Sequence, residues 1–119
     1  MAYVDGFVVP VPKNNIEKYR EVERNAGVVW KEHGALSYKS YIADDVKPGE
    51  VTSFPQSVQL KPDEVVIFAY IVYESRAHRD QVNEKVMADP RIKNMMSPES
   101  MPFDGKRMIY GGFSSFVEL

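Results

Sequence analysis

The stretch Val65 to Tyr73 reads Val-Val-Ile-Phe-Ala-Tyr-Ile-Val-Tyr and is apolar at odd and even positions alike. A strand buried on one face alternates apolar with polar residues, whereas one that is apolar throughout is covered on both. The run is far shorter than the roughly 18 residues of a membrane span. It therefore predicts a central strand, and it demands that something lie on each side of the sheet containing it.

The rest of the chain supplies the sheet. Tyr3 to Val11 is rich in β formers and predicts a first strand, with Pro10 and Pro12 ending its pairing because proline donates no hydrogen bond. Asn14, with Glu17 three residues on, predicts the start of a helix. Its apolar stripe runs Ile16, Tyr19, Val22, Ala26, Val29, Trp30 and His33, and Gly34 stops it. Gly27 inside this helix costs about 1 kcal/mol against alanine, which a close helix-on-sheet contact would explain. Ala35 to Ala43 alternates as a one-faced strand. Ser75 caps a second helix with Val82 and Val86 inward. Asp89-Pro90 ends that helix and suits the start of another short turn. Met95, Met96 and Met101 follow as soft packing. Lys106 to Val117 reads as a last strand, loosened by Gly111 and Gly112.

The order β-α-β-β-α-β predicts an α+β, ferredoxin-like fold: a four-stranded antiparallel sheet with two helices on one face and strands one and three central. At 119 residues the chain is sized for a single domain, 1–119. Two helices cover one face only, yet the third strand is apolar on both. An exposed apolar sheet is a liability for a monomer. A second copy is the simplest cover, so the expectation is a homodimer packed through its sheet faces. Between the second and third strands, Asp44 to Asp63 carries Pro48-Gly49, Phe54-Pro55 and Pro62. A connection this long is commonly functional. Phe54, Val58 and Leu60 predict that part of it docks on an apolar surface, and it is a candidate gate for a site between helices and sheet.

Composition removes several function classes. Fifteen Lys plus Arg against seventeen Asp plus Glu give a net charge of −2. That balance lacks the basic excess of a duplex-binding protein, so nucleic acid is not an expected partner. The absence of cysteine removes disulfides, thiolate nucleophiles and cysteine-ligated metals. Met1 to Asp5 has no signal-peptide pattern, and no run is long enough to span a membrane, so the expected location is the cytoplasm. Asp44, Asp45 and Glu50 form no EF-hand pattern, and Asp104 to Arg107 lacks the frame of a P-loop. Neither a metal nor a cofactor is expected.

Several stretches carry a family resemblance. They are Trp30 to Ala35, Thr52 to Pro55, Ser75 to Asp80, Val86 to Arg91, and above all Met101 to Phe113, reading Met-Pro-Phe-Asp-Gly-Lys-Arg-Met-Ile-Tyr-Gly-Gly-Phe. Across essentially its whole length the chain resembles the YbaA-like group of small uncharacterised bacterial proteins. The resemblance implies the dimeric α/β-barrel superfamily, with ferredoxin-like protomers joined through their sheets. That superfamily holds cofactor-free monooxygenases, haem enzymes, isomerase-like proteins and ligand-sensing domains, and fold alone does not choose among them.

Residues that could do chemistry are few. His33, at the end of the first helix beside Trp30, is a candidate base, and it equally suits a helix C-terminus, where a cation is favoured. Asp5, on a central strand, is a second candidate base if it faces the cleft, or the partner of a Lys or Arg if it does not. His78 stands between Arg76 and Arg79 at a helix start, where an anion can bind with help from Lys106 and Arg107; the alternative is a solvated basic end. Trp30, Tyr38, Tyr41, Tyr70, Tyr73 and Tyr110 are candidates to line an aromatic pocket, and equally serve as packing. The expected function is binding of a small organic molecule between helices and sheet. The alternatives are a cofactor-independent monooxygenase or isomerase with His33 or Asp5 as base, and an interaction module with no small-molecule site.

Overall fold

The structure, a computed structural model, describes residues 2–95, 97 and 101–119, so Met96 of the methionine stretch lies outside the described residues. The elements are β1 (Tyr3–Pro12), α1 (Ile16–Glu32), β2 (Ser37–Ile42), α2 (Phe54–Ser57), β3 (Glu64–Tyr73), α3 (Arg76–Ala88), α4 (Pro90–Met95) and β4 (Ile109–Ser114). All strand pairings are antiparallel and the sheet order is β2-β3-β1-β4, the ferredoxin-like arrangement with β1 and β3 central. Among the described residues no helix is long and apolar enough to cross a membrane.

Period two sorts the strands onto two faces. Tyr3, Asp5, Phe7, Val9 and Val11 of β1 share a face with Ile67, Ala69, Ile71 and Tyr73 of β3. This face receives α1, α3 and α4 through Ala26, Val29, Val82, Val86 and Ile92. Gly27 makes that approach possible. A Cβ there would sit 2.8 Å from Cδ1 of Tyr38, whose hydroxyl is tied to Glu23. Gly34 closes α1 with a φ of +116°, where a side chain would be strained.

Element ends follow local chemistry. Ser75 caps α3 by accepting from the His78 N–H. Asp89 ends α3, and its Oδ1 takes the Arg91 N–H in the first turn of α4, with Pro90 leading. The start of α1 differs from expectation. A short 3-10 turn over Lys13–Asn15 comes first, and Asn15 at the cap position makes no side-chain cap. Its amide donates instead to the Pro102 carbonyl at 3.0 Å.

The prolines of β1 do not end its pairing, contrary to the sequence expectation. Lys13 N–H donates to the Asp63 carbonyl at 2.8 Å, so the two-residue repeat turns the nitrogens of Pro12 and Pro10 away from β3. β4 pairs with β1 only as far as Val8, so no ladder bond is lost on that side. The last strand is also shorter than expected. At Gly112 a Cβ would run into Tyr3 Oη, so glycine lets β4 lie close beside that ring.

The other face of β1 and β3 is covered in part by the chain itself. Val58 packs on Val8 and Val66, with Ala43 and Leu60 around them, and Phe54 stands edge-on to Phe68. The Asp44–Asp63 segment, which contains α2, thus docks on apolar residues as expected. It does so on the side of the sheet away from α1 and α3, so it is no gate for a site between helices and sheet. The reason is the second apolar face of the central strands, which offers Val58 and Leu60 their partners. Arg107 holds this segment down. Its Nη1 donates to the carbonyls of Val58 and Gln59, and Nη1 and Nη2 grip the buried Glu64 carboxylate at 2.8 and 2.5 Å. Beyond the segment, Phe68 (44% exposed), Tyr41, Ile109 and Phe113 (64%) leave an apolar surface open.

Two outcomes follow from this packing. Gly27→Ala should lose about 1–3 kcal/mol in urea unfolding, because overpacking against Tyr38 outweighs the better helix propensity. Arg107 holds the Glu64 carboxyl below its ordinary value of 4.5. The folded carboxylate therefore resists protonation more than the unfolded one, and the stability this confers is complete above pH 4.5 and fades as pH falls. Arg107→Met should lower the urea midpoint at pH 7, and the deficit should shrink in acid.

Candidate functional site: a cavity between helices and sheet

α1 and α3 pack together through Ala26, Val29, Val82 and Val86, and beside this contact, over the sheet, lies a cavity of about 610 Å³, within the size range of small-molecule sites. Its floor is the helix-facing row of Asp5, Phe7, Val9, Ala69 and Ile71. One wall is α1, through Tyr19, Val22, Glu23, Ala26 and Trp30. The other is α3, which turns Arg79, Asn83 and Met87 inward at steps of four, with Ile92 and Met95 of α4 beyond. Met101, Pro102, Phe103 and Met108 form the rim. The rim is anchored to α1 by the Asn15–Pro102 hydrogen bond and by an edge-to-face contact between Tyr19 and Phe103.

The polar groups gather in two places. At one end Arg79 Nη1 donates to Asp5 Oδ1 at 2.8 Å, Nη2 to Tyr3 Oη at 3.2 Å, and Nε to Asp80 at 2.8 Å. The guanidinium also lies 5.0 Å from the Tyr3 ring centroid, within cation–π range. Asn83 Oδ1 accepts from Trp30 Nε1 at 3.3 Å and from Tyr73 Oη at 3.2 Å, which leaves its NH2 group for the Asp5 side. Burial pushes the Asp5 carboxyl above its ordinary value of 3.8, and the opposing pull of Arg79 and Asn83 is smaller. On the α1 wall, Glu23 accepts from Tyr38 Oη at 3.1 Å and from the Ser40 hydroxyl. Burial raises the Tyr19 and Tyr38 phenols, and the Glu23 charge raises them further, so both stay protonated as donors.

The residues singled out from sequence divide sharply. Asp5, Trp30, Tyr38 and Tyr110 line the cavity. Asp5 faces the cleft and pairs with an arginine as well. Tyr73 is fully buried just behind, touching the site through Asn83. The others lie elsewhere. His33 Nε2 bonds Asp89 Oδ2 at 2.9 Å, and with Arg91 and Glu32 it clips the end of α1 to the α3–α4 turn. His78 accepts the Glu74 N–H at Nδ1, stands edge-on to Tyr73 and packs near Gly34. Tyr41 stacks on Tyr70 on the opposite face of the sheet. Arg107 is committed to Glu64, so His78, Arg79 and Arg107 do not converge on an anion.

Arg79, Asn83 and Glu23 also line the cavity, beyond the residues that the sequence singles out. The signal was present in α3: Arg79, Asn83 and Met87 make a four-residue stripe beside the Val82–Val86 stripe. For Glu23, flanked by Val22 and Arg24, the sequence carries no comparable mark.

Fold and cavity together define an α+β protein of the ferredoxin-like kind, with a chamber enclosed between its sheet and its helices. Residues 2–105 match the family described as "Protein of unknown function (DUF1428)", and the chain belongs to that family. It is 49% identical over 118 residues to the uncharacterized protein YbaA of Escherichia coli strain K12, and equally to YbaA of Shigella flexneri, covering 99% of each chain. Among solved structures it resembles an uncharacterized NIPSNAP domain protein from Burkholderia xenovorans, at 10% identity and a TM-score of 0.56, covering 96% of this chain and 94% of that one. It also resembles protein Atu4242 from Agrobacterium tumefaciens, at 15% identity and a TM-score of 0.55, covering 94% and 91%. At those identities the likeness is one of fold.

The geometry at Asp5 sets a titration outcome. Carboxyl carbon NMR should place the Asp5 pKa above 3.8, and Arg79→Gln should raise it further by removing the nearest cation.

Proposed function

We propose that this chain binds a small, mostly apolar organic molecule in the cavity between its helices and sheet, and that it does so as a cytoplasmic homodimer joined through the open sheet face. The observation that carries the reading is the cavity itself. Beside the contact between α1 and α3, about 610 Å³ of space is left over the sheet, walled largely by aromatic and methionine side chains. A few polar groups converge at one end, as in sites that orient a ligand. The dimer is supported by the apolar side chains around Phe68 and Phe113, which the Asp44–Asp63 segment leaves uncovered. An interaction module with a cleft filled by its own side chains fits this space less well.

A second reading rests on one specific observation. Asp5 is a carboxyl of raised pKa at the floor of a largely apolar cavity, the setting in which a carboxylate serves as a general base. A cofactor-independent isomerase or monooxygenase would use it to take a proton from a bound substrate. His33 has no part in that version, because it is bound to Asp89 away from the cavity.

Native mass spectrometry of freshly purified protein tests the proposal. The expected species is a dimer of twice 13.6 kDa that carries small-molecule mass. Val22→Trp, which fills the cavity, should lose that mass and keep the dimer. Phe68→Glu, on the open face, should yield monomer. A monomeric wild type, or passenger mass that survives Val22→Trp, would count against the corresponding half of the proposal.

A further inference from the structure

The charge inside the cavity is lopsided. Arg79 is the cation of the wall among the described residues, since Lys39 occupies a β2 position whose side chain belongs to the other face of the sheet. Its guanidinium is already engaged. Nη1 is on Asp5, Nε is on Asp80 and Nη2 is on Tyr3. Of the acids, Asp5 and Glu23 line the cavity, while the largely exposed Asp80 holds Arg79 from outside it. Apart from the Asn83 amide, most of the remaining lining is apolar or aromatic, so charges inside are screened less than in bulk water.

An anionic ligand would have to displace Asp5 from Arg79 or lie beside uncompensated carboxylates. A full cation would be drawn to these acids but would lose its hydration on entry, a cost that exceeds the pull of carboxylates already engaged by Arg79, Tyr38 and Ser40. A neutral hydroxyl has neither difficulty. It donates to a carboxylate oxygen in a charge-assisted hydrogen bond while its carbon frame meets Trp30, Phe7 and Tyr38.

We infer that the cavity selects uncharged, hydroxyl-bearing aromatic compounds and discriminates against carboxylates and organic ammonium ions of the same shape. The inference rests on the ligand-binding reading above and adds the chemical class. Three matched probes test it by calorimetry at pH 7: 2-naphthol, 2-naphthoate and 2-naphthylmethylammonium. Naphthol should bind at least about tenfold more tightly than either ion, the factor that one charge-assisted hydrogen bond readily supplies. Asp5→Asn should weaken naphthol by about tenfold and narrow its lead over naphthoate, because the acceptor loses its charge and Arg79 is released. Circular dichroism reports whether that variant folds. Should it not fold, Glu23→Gln, at a half-buried position, should narrow the same lead by lifting repulsion of naphthoate. Naphthoate or the ammonium binding as well as naphthol, or a ranking unmoved in the folded variant, overturns the inference and leaves the ligand-binding reading standing. Binding by none of the three removes that reading, and this inference with it.

Discussion

The central pair β1–β3 carries apolar side chains on both of its faces, and the remaining architecture answers that fact. On one face α1, α3 and α4 supply cover, through Val29, Val82, Val86 and Ile92. On the other, the long β2–β3 connection folds back so that Val58 meets Val8 and Val66. Such a connection would gain little over a sheet with a polar outer face. Here each valine that it buries is worth about 1.5–3 kcal/mol, which favours its docking. The Arg107–Glu64 pair then fixes its far end, placing a buried carboxylate where β3 begins.

The helix layer beside the cavity is tied at both of its ends. His33, Asp89, Arg91 and Glu32 tie the C-terminal end of α1 to the α3–α4 turn, and Asn15 ties the other end of α1 to the rim at Pro102. Between these ties Ala26 and Val29 of α1 pack with Val82 and Val86 of α3, and Trp30 donates to Asn83. Arg91 and His33 hold the Asp89 carboxyl far below the usual aspartate range, so the clip stays charged well into acid. His33, at a helix end where the sequence offers a base, here fastens α1 to the α3–α4 turn.

Much of the fold was legible because its signals are local or periodic. The two-faced run at Val65–Tyr73, the stripe from Ile16 to Trp30, the Ser75 cap and the Asp89-Pro90 stop each act within a few residues, and each is where the sequence put it. Gly27 announced a close contact that Tyr38 makes. The misreadings share one cause. The prolines of β1 are harmless because of where β4 stops, the long connection lies where a second apolar face invites it, and Arg107 turns to Glu64 across more than forty residues. Each is a three-dimensional relation between distant segments. The site shows the same division. Asp5 stood out as an acid in an apolar strand, whereas Arg79 looked like a solvated helix end until the sheet brought Asp5 beneath it.

Trp30 is the one tryptophan of the chain, and its indole forms part of the chamber wall while its Nε1–H is spent on Asn83. Asn83 in turn neighbours Asp5, so the indole senses both the polarity of the chamber and the state of the polar network at its end. The molecule thereby carries an intrinsic optical reporter at the place where occupancy would matter. Emission from the unmodified protein, with no background from any second indole, should shift when that space exchanges water for a guest.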